Sequence, residues 1–222
     1  MNGLAGEDVP IRLHRLDSPV TTLGPFSRAV IWVQGCPFNC KGCITRESID
    51  PTGGFEMSVR EIADWVIAQE GVEGITLSGG EPMEQSGALA LVIDLAKDAK
   101  DLGIVCYTGY TLEAIRKAGR KDKLDLVSRT DLLIDGQYIP EKHADLLWRG
   151  SSNQRLIHLT DRYRAEVEML TSEGDHSAGV EVKLNQSGKL EFTGVPATPG
   201  FRDRMYERAC GENLESSNEE AE

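Results

Sequence analysis

"RAVIWVQGCPFNCKGC", Arg28 to Cys43, joins two unlike halves. Arg28 to Gly35 is nearly continuously apolar and rich in β-branched residues, the composition of a strand buried on both faces. Directly after it come Cys36, Cys40 and Cys43, and no other cysteine follows until Cys106. The cysteines therefore sit on the loop leaving that strand. Thiols this close cannot usefully cross-link the fold, because loops of two or three residues constrain little and an odd thiol remains. They converge on something between them, and metal is the usual object.

On the N-terminal side, "PIRLHRL" (Pro10 to Leu16) alternates apolar and polar residues as a first strand does, and "SPVTTLGPFS" reads as loop. On the C-terminal side, "SVREIADWVIAQEG" predicts a helix. Ser58 and Glu61 form a capping box, Val59, Ile62, Ala63, Val66 and Ile67 share one face, and Gly71 marks the stop. "GITLSGGEP" is a short strand running into glycines. "SGALALVIDLAKDAKDLG" is a helix closed by Gly103, and "IVCYTGY" is the next strand. "TLEAIRKAG" reads as a helix, "DLLIDGQY" and "RLIHLT" as strands, and "DRYRAEVEML" as a last helix. Strands alternating with helices imply right-handed β-α-β units and a parallel sheet. From Val180 the rhythm breaks. "VEVKLNQSGKLEFTGVP" reads as a β-hairpin around Asn185 to Gly188, appended to the α/β core.

The chain has 222 residues, enough for one moderately large domain that folds without disulfides or structural metals. The cysteine cluster is thus not needed for stability. A formal charge of -12 argues against generic binding to nucleic acid or to anionic membranes. Part of that charge lies in "CGENLESSNEEAE", Cys210 to Glu222, whose composition predicts a disordered acidic tail. No secretory leader and no apolar run of bilayer length is present, and clustered thiols fit a reducing compartment, so a cytoplasmic location is expected.

Tetrahedral zinc would need a fourth ligand from His14, His143, His158, His176 or a distant cysteine, and none follows at the spacing of zinc knuckles. An iron–sulfur cluster of four irons needs four ligands, so three cysteines leave one iron open to a small molecule. Cys106, inside a predicted strand, reads as a small buried hydrophobe, and Cys210 as an incidental thiol.

The spacing Cys36-x3-Cys40-x2-Cys43 resembles the signature of the radical S-adenosylmethionine enzymes. "SGGEP", Ser78 to Pro82, lies at the exit of the next predicted strand, where that family presents a glycine-rich turn to the methionine moiety. Bare glycines would let the ligand approach the backbone. Both motifs fall at carboxyl ends of parallel strands, the face on which α/β folds build their sites. "GPFSRAVIWVQGCPFNCKGC", "YTGYTLE", "DLLIDGQY" and "RGSSNQR" narrow the resemblance to the glycyl-radical activase branch, that of anaerobic ribonucleotide reductase. Many radical enzymes carry an aromatic residue just before the third cysteine; this chain has Gly42 there, as that branch often does.

The resemblance implies an α/β fold, a partial and open β/α barrel with the C-terminal β-hairpin as appendage. Together with the residue pattern it gives an N-terminal segment 1–22 with a first strand and a radical core 23–170, while the hairpin extension 171–210 and the acidic tail 211–222 depart from the shortest activases. Cys36, Cys40 and Cys43 would hold a [4Fe-4S] cluster. Phe38, Gly42, Ser78, Gly79, Gly80, Glu81, Tyr107, Asp135 and Arg149 would contact S-adenosylmethionine. The implied reaction is reductive cleavage of that cofactor to a 5′-deoxyadenosyl radical, which removes a hydrogen from a glycine of a partner protein, with flavodoxin or ferredoxin as electron donor. Two alternatives stand beside it. One is radical chemistry on a small molecule or peptide; the other is a non-catalytic iron–sulfur electron-transfer or sensor protein. "SGGEP" speaks against the latter, since an electron carrier needs no such pocket. Turn capping competes with a site role for Asp135 and Gln137, and Arg149 or Arg155 could pair with the cofactor's carboxylate.

Overall fold

Arg28–Val33 is buried along its whole length as strand β2, as its composition demands. The computed structural model describes residues 6–184, 188 and 190–210, with only the backbone of 209 and 210. The acidic tail, most of the turn at Asn185 to Gly188 and the Cys210 thiol lie outside the described residues. Seven strands form one sheet: β3 (Phe55–Ser58), β1 (Pro10–Val20), β2, β4 (Gly74–Gly79), β5 (Gly103–Thr108), β6 (Leu132–Asp135) and β9 (Arg155–His158), in that spatial order. β2, β4, β5 and β6 run parallel, while β1, β3 and β9 pair antiparallel at the two sides.

Side-chain alternation assigns the two faces. Ala29, Ile31 and Val33 of β2 join one core with Ile104 and Cys106 of β5. This core is covered by α1 (Val59–Ala68), α2 (Ser86–Ala99), α3 (Leu112–Ala118) and α4 (Lys121–Arg129). Val30 and Trp32 point the other way and pack with Val20, Leu23 and, more loosely, Tyr107 and Val195. Val105, Leu132 and Ile134 on that second face meet Leu147, Trp148, Tyr163 and Val167. The cover there comes from the short hairpin β7 (His143–Leu146) and β8 (Arg149–Ser151), from α5 (Arg164–Ser172), and from the hairpin β10 (Gly179–Leu184) and β11 (Leu190–Val195). The last helix among the described residues is α6 (Phe201–Cys210).

The capping box of α1 is present, with Ser58 Oγ accepting from Glu61 N and the Glu61 carboxylate accepting from Ser58 N. Several expectations need correction. β1 continues to Val20, through residues read as loop. α2 ends at Ala99, and Gly103 opens β5 instead of closing the helix. β9 is antiparallel to β6 because no crossover α-helix separates them, only a one-turn 3-10 helix at Pro140–Lys142 and the β7–β8 hairpin. β3, α4, β7, β8 and α6 were not expected.

At the start of β2, the fully buried Arg28 uses its guanidinium to gather the amino-terminal side of the sheet. Nε donates to Thr76 Oγ1 at 2.6 Å, Nη1 to Pro25 O and Tyr163 Oη, and Nη2 to Ile75 O and Gly103 O. None of these acceptors is a carboxylate, and burial pulls the Arg28 pKa down. No helix among the described residues is long and apolar enough to cross a membrane.

Candidate functional site

The four parallel strands send their carboxyl ends to one place. β2 leads into the cysteine loop, β4 into the Ser78–Glu81 turn, β5 into Tyr107–Gly109 and β6 into Gly136–Tyr138. All four exits line one cavity of about 460 Å³. Cys36, Cys40, Cys43, Phe38, Gly42, Ser78, Gly79, Gly80, Glu81 and Tyr107 all contribute to its walls.

The cysteine loop is tied down at its base. Gln34 Nε2 donates to Glu47 O at 2.8 Å and to Asp50 O at 2.6 Å, drawing residues 36–50 into a closed excursion. Gly35 N and Cys36 N reach Ser48 O and Ile49 O, and Cys43 N reaches Cys40 O. The three thiols are free and partly buried. Burial raises the pKa of both Cys36 and Cys43, and neighbouring loop amides oppose the rise.

The glycine turn is fastened to the same loop. Gly80 N donates to Val33 O at 2.8 Å and Glu81 N to Gly35 O at 2.9 Å. A Cβ on Gly79 would lie 2.7 Å from Val33 O, and one on Gly80 would lie 2.8 Å from the carbonyl carbon of Gly35. Gly79 also has φ 97°, which side-chain-bearing residues rarely adopt. The glycines are bare because backbone meets backbone there, a reason independent of any ligand.

Glu81 is nearly fully buried and acts between turns. Its Oε1 accepts from Met83 N at 2.9 Å and from Thr108 Oγ1 at 2.8 Å, and its Oε2 accepts from Gly109 N at 2.8 Å. Burial nevertheless outweighs these three donors and pushes its pKa up to about 7. Phe38 lies against the bare face of Gly109 and packs edge-on to Tyr110 at a centroid distance of 4.8 Å, locking the cysteine loop to the β5 exit.

Two expected contacts are not brought to the cavity. Asp135 is fully buried, accepts from Leu112 N at 2.8 Å and pairs with Arg155, its partner across the β6–β9 ladder. Arg155 continues to Glu113, so both side chains already have ionic partners within the fold. Arg149 is held by Asp175 and by Leu147 O. The sequence reading also missed wall residues. Tyr138 stands beside Gly42, and its Oη lies 3.2 Å from His143 Nδ1. Trp148, buried and at φ 54°, closes the far side. Thr193, Val195, Phe201 and Arg202 come from the C-terminal region. An aromatic at the exit of a predicted parallel strand was the available signal for Tyr138.

Among the described residues no His, Cys, Asp and Glu group of three or more is arranged for a single metal ion. The donor set on the loop, three thiols with no histidine or carboxylate completing it, fits a thiolate-held cluster.

Residues 22–157 match the model of the 4Fe-4S single cluster domain. An anaerobic ribonucleoside-triphosphate reductase-activating protein of Vibrio cholerae is 36% identical over 144 residues, covering 61% of this chain and 89% of that one. That of enterobacteria phage T4 is 34% identical, covering 62% and 88%, and that of Salmonella typhi is 33% identical over 157 residues, covering 67% and 99%. The chain belongs to this family of activating proteins. The activating-protein family is the radical S-adenosylmethionine branch that the sequence resembles, and its cofactors are a [4Fe-4S] cluster and S-adenosylmethionine. QueE from Escherichia coli overlaps 46% of this chain and 54% of its own at 18% identity and a TM-score of 0.39, too partial to bear on the fold.

Proposed function

We propose that this activating protein generates a glycyl radical on an anaerobic ribonucleoside-triphosphate reductase, the target named by its relatives. The observation that carries this is the junction of the two loops. The cysteine loop and the Ser78–Glu81 turn leave adjacent parallel strands and are hydrogen-bonded to each other at the wall of one cavity.

In this reading Cys36, Cys40 and Cys43 hold the cluster, and Ser78, Gly79, Gly80 and Tyr107 meet S-adenosylmethionine. Once bound, the cluster and S-adenosylmethionine would supply the one-electron radical chemistry directed at the partner's glycine. The protein's own contribution is placement. Phe38 and Glu81 fix the two loops to the β5 exit, and the cavity walls keep water from the reacting centre. A low-potential carrier such as flavodoxin or ferredoxin supplies the electron, and the setting is cytoplasmic. The parallel strands β2, β4, β5 and β6 form an arc of the partial, open barrel expected for this chemistry, with a core at 23–170 and a hairpin extension at 171–210.

The test uses anaerobically reconstituted protein, reductant, S-adenosylmethionine and the reductase. A glycine-centred signal in electron paramagnetic resonance is expected, with deuterium passing from α-deuterated glycine of the reductase into 5′-deoxyadenosine. Label transfer from a small molecule or free peptide, with the reductase inert, would replace this reading with the alternative substrate class.

A further inference from the structure

The family match stops at residue 157, and the relatives are covered over 88 to 99% of their own length while a third or more of this chain lies outside their alignments. The added segment returns to the cavity. Thr193, Val195, Phe201 and Arg202 stand in its wall, and Val195 packs toward Trp32 of β2.

Thr21 donates to Glu181 and Thr22 to Thr193 O, and further attachments fall on two elements. On β1, Arg15 Nη2 donates to Thr193 Oγ1 at 2.8 Å, and Lys183 pairs with Asp17 at 2.7 Å. On the cysteine loop, Arg202 Nη1 donates to Ile44 O at 2.8 Å, and the guanidinium forks onto the Glu47 carboxylate. Asp203 pairs with Arg46 at 3.1 Å. Arg202 is itself held over the ring of Tyr206, which packs on Phe192. Ile44 directly follows Cys43. Glu47 is gripped from both sides, by Gln34 on its carbonyl and by Arg202 on its carboxylate.

Gln34 ties the base of the loop between Cys36 and Asp50, and Phe38 packs on Gly109 and Tyr110, so the stretch from Ile44 to Glu47 is the part that the C-terminal segment holds. The loop's regular structure is one short turn, Arg46–Ser48, and Ser48 is its one buried side chain before Asp50. Gathering three thiolates on such a loop costs ordering entropy, and fixing the loop beforehand reduces that cost. We propose that the C-terminal segment is a brace for the cysteine loop, with Arg202 as a positioning residue that sets Cys43 relative to Cys36 and Cys40 before metal binds. The proposal takes its purpose from the reading of that loop as the cluster site.

Amide hydrogen exchange on the metal-free full chain tests it. Arg202→Ala is expected to speed exchange across residues 43–47 about tenfold, the scale of one lost charge-assisted hydrogen bond. The melting temperature and the exchange of β4 and β5 should stay unchanged, and Arg202→Lys should restore part of the protection because a lysine cannot fork. After reconstitution, Arg202→Ala should give up iron to a chelator several-fold faster. Unchanged loop exchange, or exchange raised equally throughout the chain, overturns the brace. If Arg202→Ala does not fold, Glu47→Gln reads the same contact from the loop side, with the same two outcomes. Should the variant free the loop while the wild-type chain takes up no iron at all, the brace stands and the cluster reading falls.

Discussion

Gly80 stands so close to Gly35 that a Cβ on the former would lie 2.8 Å from the carbonyl carbon of the latter. The glycine turn and the first residues of the cysteine loop are therefore one mechanical unit.

Gly80→Ala should disturb both sites together. Forcing the backbones apart costs about 1–3 kcal/mol of stability, and Cys36 lies one residue beyond the displaced carbonyl. Iron per chain after reconstitution and S-adenosylmethionine affinity by equilibrium dialysis should fall in parallel. A loss of affinity with full iron content would mean that the bareness of Gly80 serves the ligand instead.

Glu81 gives stability an unusual pH dependence. Its folded pKa is raised from 4.5 to about 7 by burial, so the folded state holds its proton more tightly than the unfolded chain does. Its contribution is complete below pH 4.5 and is lost as pH rises to about 7, by about 3 kcal/mol in all. His14 and His158, whose pKa values burial lowers, act in the opposite sense in the upper part of this window. The difference between wild type and Glu81→Gln in urea unfolding isolates the carboxyl. That difference should shift by about 3 kcal/mol against the wild type between pH 4.5 and 8. A constant difference would show that the three donors keep Glu81 ionised throughout.

Arg28→Met should be among the most damaging single changes, at about 3–5 kcal/mol, because it strands several buried acceptors at once. Tyr163→Phe removes one of those partners and should cost about 1 kcal/mol. Arg28 begins β2 while the cysteines follow its end, so the protein that does fold should bind S-adenosylmethionine with wild-type affinity. Urea midpoints and dialysis measure the two effects separately.

Arg149→Ala should leave S-adenosylmethionine affinity within about twofold, since its guanidinium is committed to Asp175. The melting temperature should drop slightly as the link from β8 to residue 175 is lost. A tenfold or larger fall in affinity would return Arg149 to the ligand.

The parallel centre of the sheet was legible because Arg28–Val33 is apolar at every position but the first, and because the Ser58–Glu61 cap announces its helix. The two site loops were legible because both are short motifs at strand exits. β3 was not, since Phe55 and Glu56 are exposed and an edge of four residues shows no alternation. α4 was hidden by charge, with Leu126 and Val127 its main buried apolar residues. Asp135 looked available because its partner Arg155 lies 20 residues away and meets it through the β6–β9 register alone. β10 and β11 pair antiparallel, but nothing local in their sequence tells that β11 faces the cavity.

β10 and β11 form a sheet of their own, and no ladder bond joins them to the seven strands. What attaches them is side chains: ion pairs, hydroxyls and the packing of Val195. A lineage can acquire or discard such a segment without removing a strand from the frame or shifting a register. The family can thus hold both long and short chains on one scaffold, and changes confined to residues 179–203 can reshape one side of the cavity while the residues at the strand exits stay as they are.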